Sequence, residues 1–370
     1  MGSAVRLGRI FGIEIGIDYS WFLVFLLFTW TFAAVQFPMM VPHQTPATYW
    51  SMGVAASVLF FACVLAHELS HSVVSIRSGI PVRRIDLFLF GGMAQIARDA
   101  DTPGQELRIA AAGPAASFVL GILLVVAADL VRPLAPLAAV LGFIGFLNVV
   151  LGGFNLLPGF PLDGGRILRA LVWHFNRDRL RATRAAATSG KVVAYLLMLV
   201  GVYQIMLGNL IGGIWFILIG WFLVGAADSS YRQLVLERAL KGVRVEEVMT
   251  GDPVTVDPDV PVELLVDQYF LRYRHGGFPV VDRAGHPLGL VELNAVRQIP
   301  RERWPYLTTS QVMEPDAEVD PDTPILQVLE RIGQKRLLVV HEGALVGILS
   351  SSDLARFLHV HGVLGGVAGS

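Results

Sequence analysis

The sequence predicts a polytopic α-helical membrane domain of six transmembrane helices, with a small membrane-associated β-hairpin or sheet, followed by a soluble α/β module made of two copies of one unit. Three observations carry this reading. The chain of 370 residues is 54% hydrophobic and only 16% charged, against about 25% in soluble globular chains. The charge is unevenly placed: residues 1–228 hold 15 Lys/Arg and 11 Asp/Glu, whereas the shorter stretch 229–370 holds 14 and 19. The second stretch also repeats itself at a spacing of 64 residues. This composition argues against a soluble enzyme and against disorder. A net charge of −1 gives no reason to expect a nucleic-acid partner. A single cysteine, Cys63, rules out an internal disulfide framework. The boundaries read as a membrane domain over 1–228, a linker over 229–242, the two copies over 243–300 and 308–362, and a disordered tail over 363–370.

A spanning helix needs roughly 20 mostly apolar residues. Six stretches qualify: 21–40, 50–76, 109–131, 134–157, 192–207 and 210–227, the last two short and joined by Gly208-Asn209. Trp21, Trp50 and Trp221 lie near span ends, where interfacial aromatics sit. The first run is too long for a signal-peptide core and lacks a convincing cleavage pattern. Arginines and lysines crowd alternate loops: Arg6 and Arg9, then Arg77 to Arg108, then Arg166 to Lys191, then Arg232, Arg238 and Lys241. The intervening loops hold only Arg132. The positive-inside rule therefore puts both termini in the cytoplasm of a multi-pass cell-membrane protein. The basic run 177–184 reads as part of that anchor.

Two stretches on the cytoplasmic side have strand character. Ile13, Ile15 and Ile17 alternate with Glu14, Gly16 and Asp18. The run Ile85-Asp86-Leu87-Phe88-Leu89-Phe90 is closed by Gly91-Gly92. Extended backbone near the membrane needs cover from protein or a water-lined cavity.

The second span contains His67-Glu68-Leu69-Ser70-His71. Positions i and i+4 share a helix face, so both imidazoles can hold one metal ion. Glu68 beside them can take a proton from water. For the histidine and glutamate content of this chain, a chance match has an expectation on the order of 0.01. Two histidines and a glutamate in an apolar helix are costly to insert and mark a functional site. Zinc commonly takes a third protein ligand and keeps one position open. Asp129 lies at the far end of the third span, which leaves Asp163, Asp86 and Glu106. Asp163 also fits a helix N-cap before an amphipathic segment, 164–175. Cys63, four residues before His67, reads as a small packing residue.

Three motifs together resemble the site-2 protease family of intramembrane zinc metalloproteases: His67 to His71 in a membrane helix, Gly113-Pro114 in the third span, and Asn155-Leu156-Leu157-Pro158-Gly159-Phe160-Pro161-Leu162-Asp163-Gly164-Gly165 after the fourth. The likeness covers residues 1–228 and is closest to the six-span subgroup with appended CBS domains. It implies one Zn2+ per chain held by His67, His71 and Asp163, with Glu68 as general base. It further implies Asn155 and Pro158 near the substrate, and Gly91-Gly92 in a hairpin that pairs with an unwound substrate segment. Ser117 stands where many relatives have Asn. The implied substrate is a transmembrane regulator, such as an anti-sigma factor, or a signal-peptide remnant, cut within the lipid bilayer.

In the soluble part, Met249-Thr250-Gly251-Asp252-Pro253 aligns with Met313-Glu314-Pro315-Asp316-Ala317, and each copy continues into a helix and two strands. The repeat resembles a tandem pair of CBS domains, each a β-α-β-β-α unit. That likeness implies an adenine nucleotide, addressed in the second copy by Ser350 and Asp353 after Gly347. The first copy has Glu292 and Ala295 at those positions. The other reading is a structural module, for instance one that forms homodimers, with Asp353 capping a helix. A second function class is a CBS-regulated transporter or channel with a His/Asp ion site. It predicts repeated halves in the membrane domain, which the sequence lacks, and it gives Glu68 no task.

Overall fold

The computed structural model describes residues 5–88, 91–96, 98–315 and 318–365. Leu89 and Phe90 of the β-like run, Asp316 and Ala317 of the repeat, and residues 366–370 of the tail lie outside them. The chain divides into two compact units, Met1–Leu234 and Val235–Ser370.

Among the described residues of the chain, six helices are long and apolar enough to span a membrane: α1 (Tyr19–Met40), α2 (Pro46–Arg77), α3 (Pro103–Leu130), α4 (Ala135–Asn155), α6 (Arg179–Met206) and α7 (Leu210–Ala239). A further helix, α5 (Asp163–Asn176), lies between α4 and α6. α1 passes through a π-helical stretch at Phe32–Gln36 just before Pro38, whose ring and missing N–H disturb the α-helical ladder. The fifth and sixth spans are not short. α6 starts at Arg179, because the basic run that reads as a loop is already helical. α7 continues to Ala239, through most of the stretch read as a linker.

Helix contacts in the membrane unit rely on small and polar residues, as expected where lipid removes the hydrophobic drive. A Cβ on Gly121 of α3 would lie 2.9 Å from the Gly145 carbonyl oxygen of α4, and the reverse distance is also 2.9 Å. Thr29 of α1 donates to Ser57 of α2 at 2.9 Å. A buried apolar cluster of Phe32, Phe37, Met52, Ala56, Cys63, Val140 and Ile144 ties α1, α2 and α4 together. Cys63 therefore packs, as its sequence context indicates.

The β-like stretches form one sheet in the order β1 (Val5–Ile10), β2 (Ile13–Ile17), β3 (Val82–Phe88), β4 (Gly91–Ile96). β2 and β3 run parallel, and the outer pairs are antiparallel. Ile13 and Ile15 are buried with Val82 and Ile85 against Leu65 and Leu69 of α2. That packing lays the sheet on the helix that carries His67 and His71. β1 is exposed along its whole length, so no alternation betrays it.

The second unit has two cores, one per copy. β5 (Thr250–Gly251), at the start of the first copy, pairs with β10 (Ala344–Leu349) of the second. Glu314, at the start of the second copy, bridges Leu290 of the first in return. Each copy thus lends its leading segment to the other's strands. The first copy keeps β6 (Gly277–Val281) and β7 (Pro287–Glu292). The second adds β8 (Glu318–Val319) and β9 (Leu337–His341). The last helix, α8 (Ser351–Gly365), continues past the boundary read at 362.

Candidate metal centre and active site

His67 and His71 stand one turn apart on α2, and both are at most 5% exposed. Their Nε2 atoms are 3.2 Å apart. Asp163, the first residue of α5, sends Oδ2 to within 3.1 Å of both. Its N-cap neighbour is Leu162, so Asp163 does not cap the helix. Its carboxylate is turned to the imidazoles instead.

The outer edges of the two rings are fixed separately. His71 Nδ1 lies 2.6 Å from the carbonyl oxygen of Ile109. A carbonyl only accepts, so Nδ1–H donates and a neutral His71 presents a lone pair at Nε2. His67 Nδ1 meets the buried Ser117 hydroxyl at 2.8 Å. Two imidazole nitrogens and a carboxylate oxygen thus converge. The Ser117 hydroxyl can donate to His67 Nδ1 or accept from it, according to the His67 tautomer. With His67 in the tautomer of His71, all three converging atoms are acceptors, a set that suits a cation. On a tetrahedron of ~2.0–2.1 Å bonds, zinc ligands stand roughly 3.3 Å apart. Edges of 3.1–3.2 Å fit that donor set. The other two candidate carboxylates are used elsewhere. Asp86 pairs with Arg84 at 2.7 Å and accepts from Gln95, and Glu106 pairs with Arg169.

Two glycines open the site. A Cβ on Gly113 of α3 would run into Nε2 of both histidines, and a Cβ on Gly92 of β4 would run into the Glu68 side chain. Gly92 therefore lies directly over Glu68, at one edge of the sheet. Gly91 has φ of +128°, a conformation open to glycine. Asn155 closes α4, and Pro158 lies in the loop that leads to Asp163. The Pro158 carbonyl accepts from the Ser189 hydroxyl of α6.

In the second unit, Ser350 donates its N–H and hydroxyl to Asp353 Oδ2 at 2.9 and 2.5 Å. Thr250 donates to Oδ1 at 2.8 Å. Asp353 thus closes half of a capping box at the start of α8. Thr250 escapes sequence reasoning because it lies 103 residues away. Ile109 escapes it because only its backbone carbonyl acts. In the first copy, Glu292 is held by Arg336 at 2.8 Å.

Comparison with known proteins identifies the family. The model of peptidase family M50 matches residues 55–134 and 131–200, and the CBS domain model matches 245–301 and 310–360. Rip3 of Mycobacterium tuberculosis is 37% identical over 98% of this chain and 94% of its own length. The chain belongs to peptidase family M50. Membership puts this M50 peptidase among the zinc metalloproteases, with its six apolar helices in a membrane and tandem CBS domains behind them. The zinc metalloprotease MJ0392 of Methanocaldococcus jannaschii is 31% identical over 97% of each chain. The solved site-2 protease from the same organism, at 31% identity, covers 61% of this chain and 94% of its own with a TM-score of 0.42.

Proposed function

We propose that this M50 peptidase cleaves transmembrane segments of membrane-bound regulatory proteins, with zinc held by His67, His71 and Asp163. What supports the reading most is the meeting of three potential ligand atoms on the face of α2, with Glu68 between the two histidines and under the edge strand β4. A zinc ion held there would bring the pKa of a water down to about 7 and polarise the scissile carbonyl.

The chain's own residues supply the rest. Glu68 takes the proton of the attacking water and returns it to the leaving amine nitrogen. The edge of β4 holds an unwound stretch of substrate by adding a strand, with Gly91 and Gly92 letting its backbone come close to Glu68. Asn155 and Pro158, in the segment that delivers Asp163, flank the substrate there. The alternate crowding of arginines and lysines puts both termini in the cytoplasm. An adenine nucleotide on the CBS pair would address Ser350 and Asp353 and must compete with the donors that Asp353 already accepts.

The test is membrane proteomics of cells carrying either the wild-type chain or Glu68→Gln, with zinc content measured on both purified proteins. Transmembrane fragments that accumulate only in the variant are the expected substrates. Normal cleavage by a zinc-loaded Glu68→Gln chain would end the general-base assignment.

A further inference from the structure

One face of α3 carries the groups that orient the two converging imidazoles. Glu106, Ile109, Gly113 and Ser117 fall at spacings of three and four, which keeps them on one helix face. The Ile109 carbonyl sets His71, and Ser117 sets His67. Gly113 leaves room for both rings. Among the described residues, none of that set hydrogen-bonds Asp163, which comes from α5, 92 residues beyond His71.

Glu106 supplies the missing link. It is 1% exposed, and Arg169 of α5 is 9% exposed. Arg169 Nε donates to Glu106 Oε1 at 2.7 Å, and Nη2 donates to the same oxygen. The second carboxylate oxygen, Oε2, is buried with no hydrogen-bond partner among the described residues. The guanidinium also lies over the Phe160 ring, 5.1 Å from its centroid. Phe160 belongs to the loop just before Asp163, and its backbone N–H donates to the Ala186 carbonyl of α6 at 3.2 Å. Arg169 therefore holds α5 to α3 on one side and clamps the loop ahead of Asp163 on the other.

We propose that Glu106 and Arg169 are positioning residues, which act through α5 and the Phe160 loop to hold the Asp163 carboxylate in register with His67 and His71. A buried ion pair is poor value as a source of stability, since desolvation offsets most of its attraction. Its directional fork does restrain a helix in rotation and translation. α5 needs that restraint, because it is a single short helix whose first residue must meet two imidazoles on another element. The proposal rests on the metal reading above.

The test uses the full-length chain in detergent, with zinc affinity measured by chelator competition and cleavage of a transmembrane peptide resolved into kcat and KM. Three variants serve: Glu106→Gln, Arg169→Lys, and the double Glu106→Gln/Arg169→Met, which leaves no unpaired buried charge. Each single variant is expected to weaken zinc binding at least about tenfold, as loss of outer supports to a metal site does. kcat should fall with KM unchanged. The double variant is expected to regain the thermal stability of the metal-free protein without regaining zinc affinity. Zinc affinity equal to wild type in Glu106→Gln overturns the proposal, and so does a double variant that recovers affinity together with stability. A wild-type chain that binds no zinc overturns the metal reading, and this proposal falls with it. Wild-type binding with an unaffected Glu106→Gln overturns this proposal alone.

Discussion

Asp163 and Asp353 are both buried aspartates at the start of a helix, and they end in opposite situations. Asp353 accepts from the Ser350 N–H, the Ser350 hydroxyl and the Thr250 hydroxyl. Its charge is answered by donors of the chain itself. Asp163 faces two imidazole nitrogens, one of which has its proton committed to the far side of the ring. At least the His71 nitrogen meets it with a lone pair, and a cation shared by the three groups would answer that charge. A buried carboxylate surrounded by donors is complete by itself, whereas one that meets an imidazole acceptor sits in a group that could hold a cation.

That contrast can be broken by experiment, and the largest effect falls on the acceptor side. Asp163→Ala should purify without zinc and show no detectable cleavage; zinc retained at wild-type stoichiometry would contradict the contrast. Glu68→Gln should keep zinc, because Glu68 is not one of the converging atoms, and lose about 10²–10⁴-fold in kcat. Gly92→Ala should also keep zinc. Its new Cβ displaces the Glu68 side chain, and a misplacement of that order costs about a hundredfold in rate. Ser117→Ala should weaken zinc binding about tenfold by releasing the His67 ring, measured by chelator competition. On the donor side, Asp353→Ala should leave zinc content untouched. It should destabilise the CBS module by about 1–3 kcal/mol, since buried donors lose their acceptor, read as a lower thermal midpoint. Any change in zinc content from Asp353→Ala would show that the two aspartates do not act independently.

Much of the fold is legible because its signals are local. Spans announce themselves by apolar length, and the His67–His71 pair by one turn of helix. The buried face of β2 follows from strict alternation at Ile13, Ile15 and Ile17. β1 is hidden because both its faces are exposed and periodicity has nothing to report. The true start of α6 is hidden because Arg179, Arg181 and Arg184 look like a loop by charge, although a helix can begin outside the lipid. The reciprocal exchange of leading segments in the CBS pair is hidden because Thr250 and Ile348 are distant in the chain.

By itself the sequence determined the class of chemistry. Two imidazoles one helical turn apart, with Glu68 between them, constrain what can bind there, whatever the remainder of the chain does. Spacing leaves three distant carboxylates open and the family resemblance favours Asp163; only the tertiary structure brings its oxygen to the two imidazoles. Asp86 and Glu106 are the same kind of residue as Asp163, and each found an arginine first. Ionic partners are chosen by distance in space, and one-dimensional spacing does not encode that distance until helices and sheet have packed.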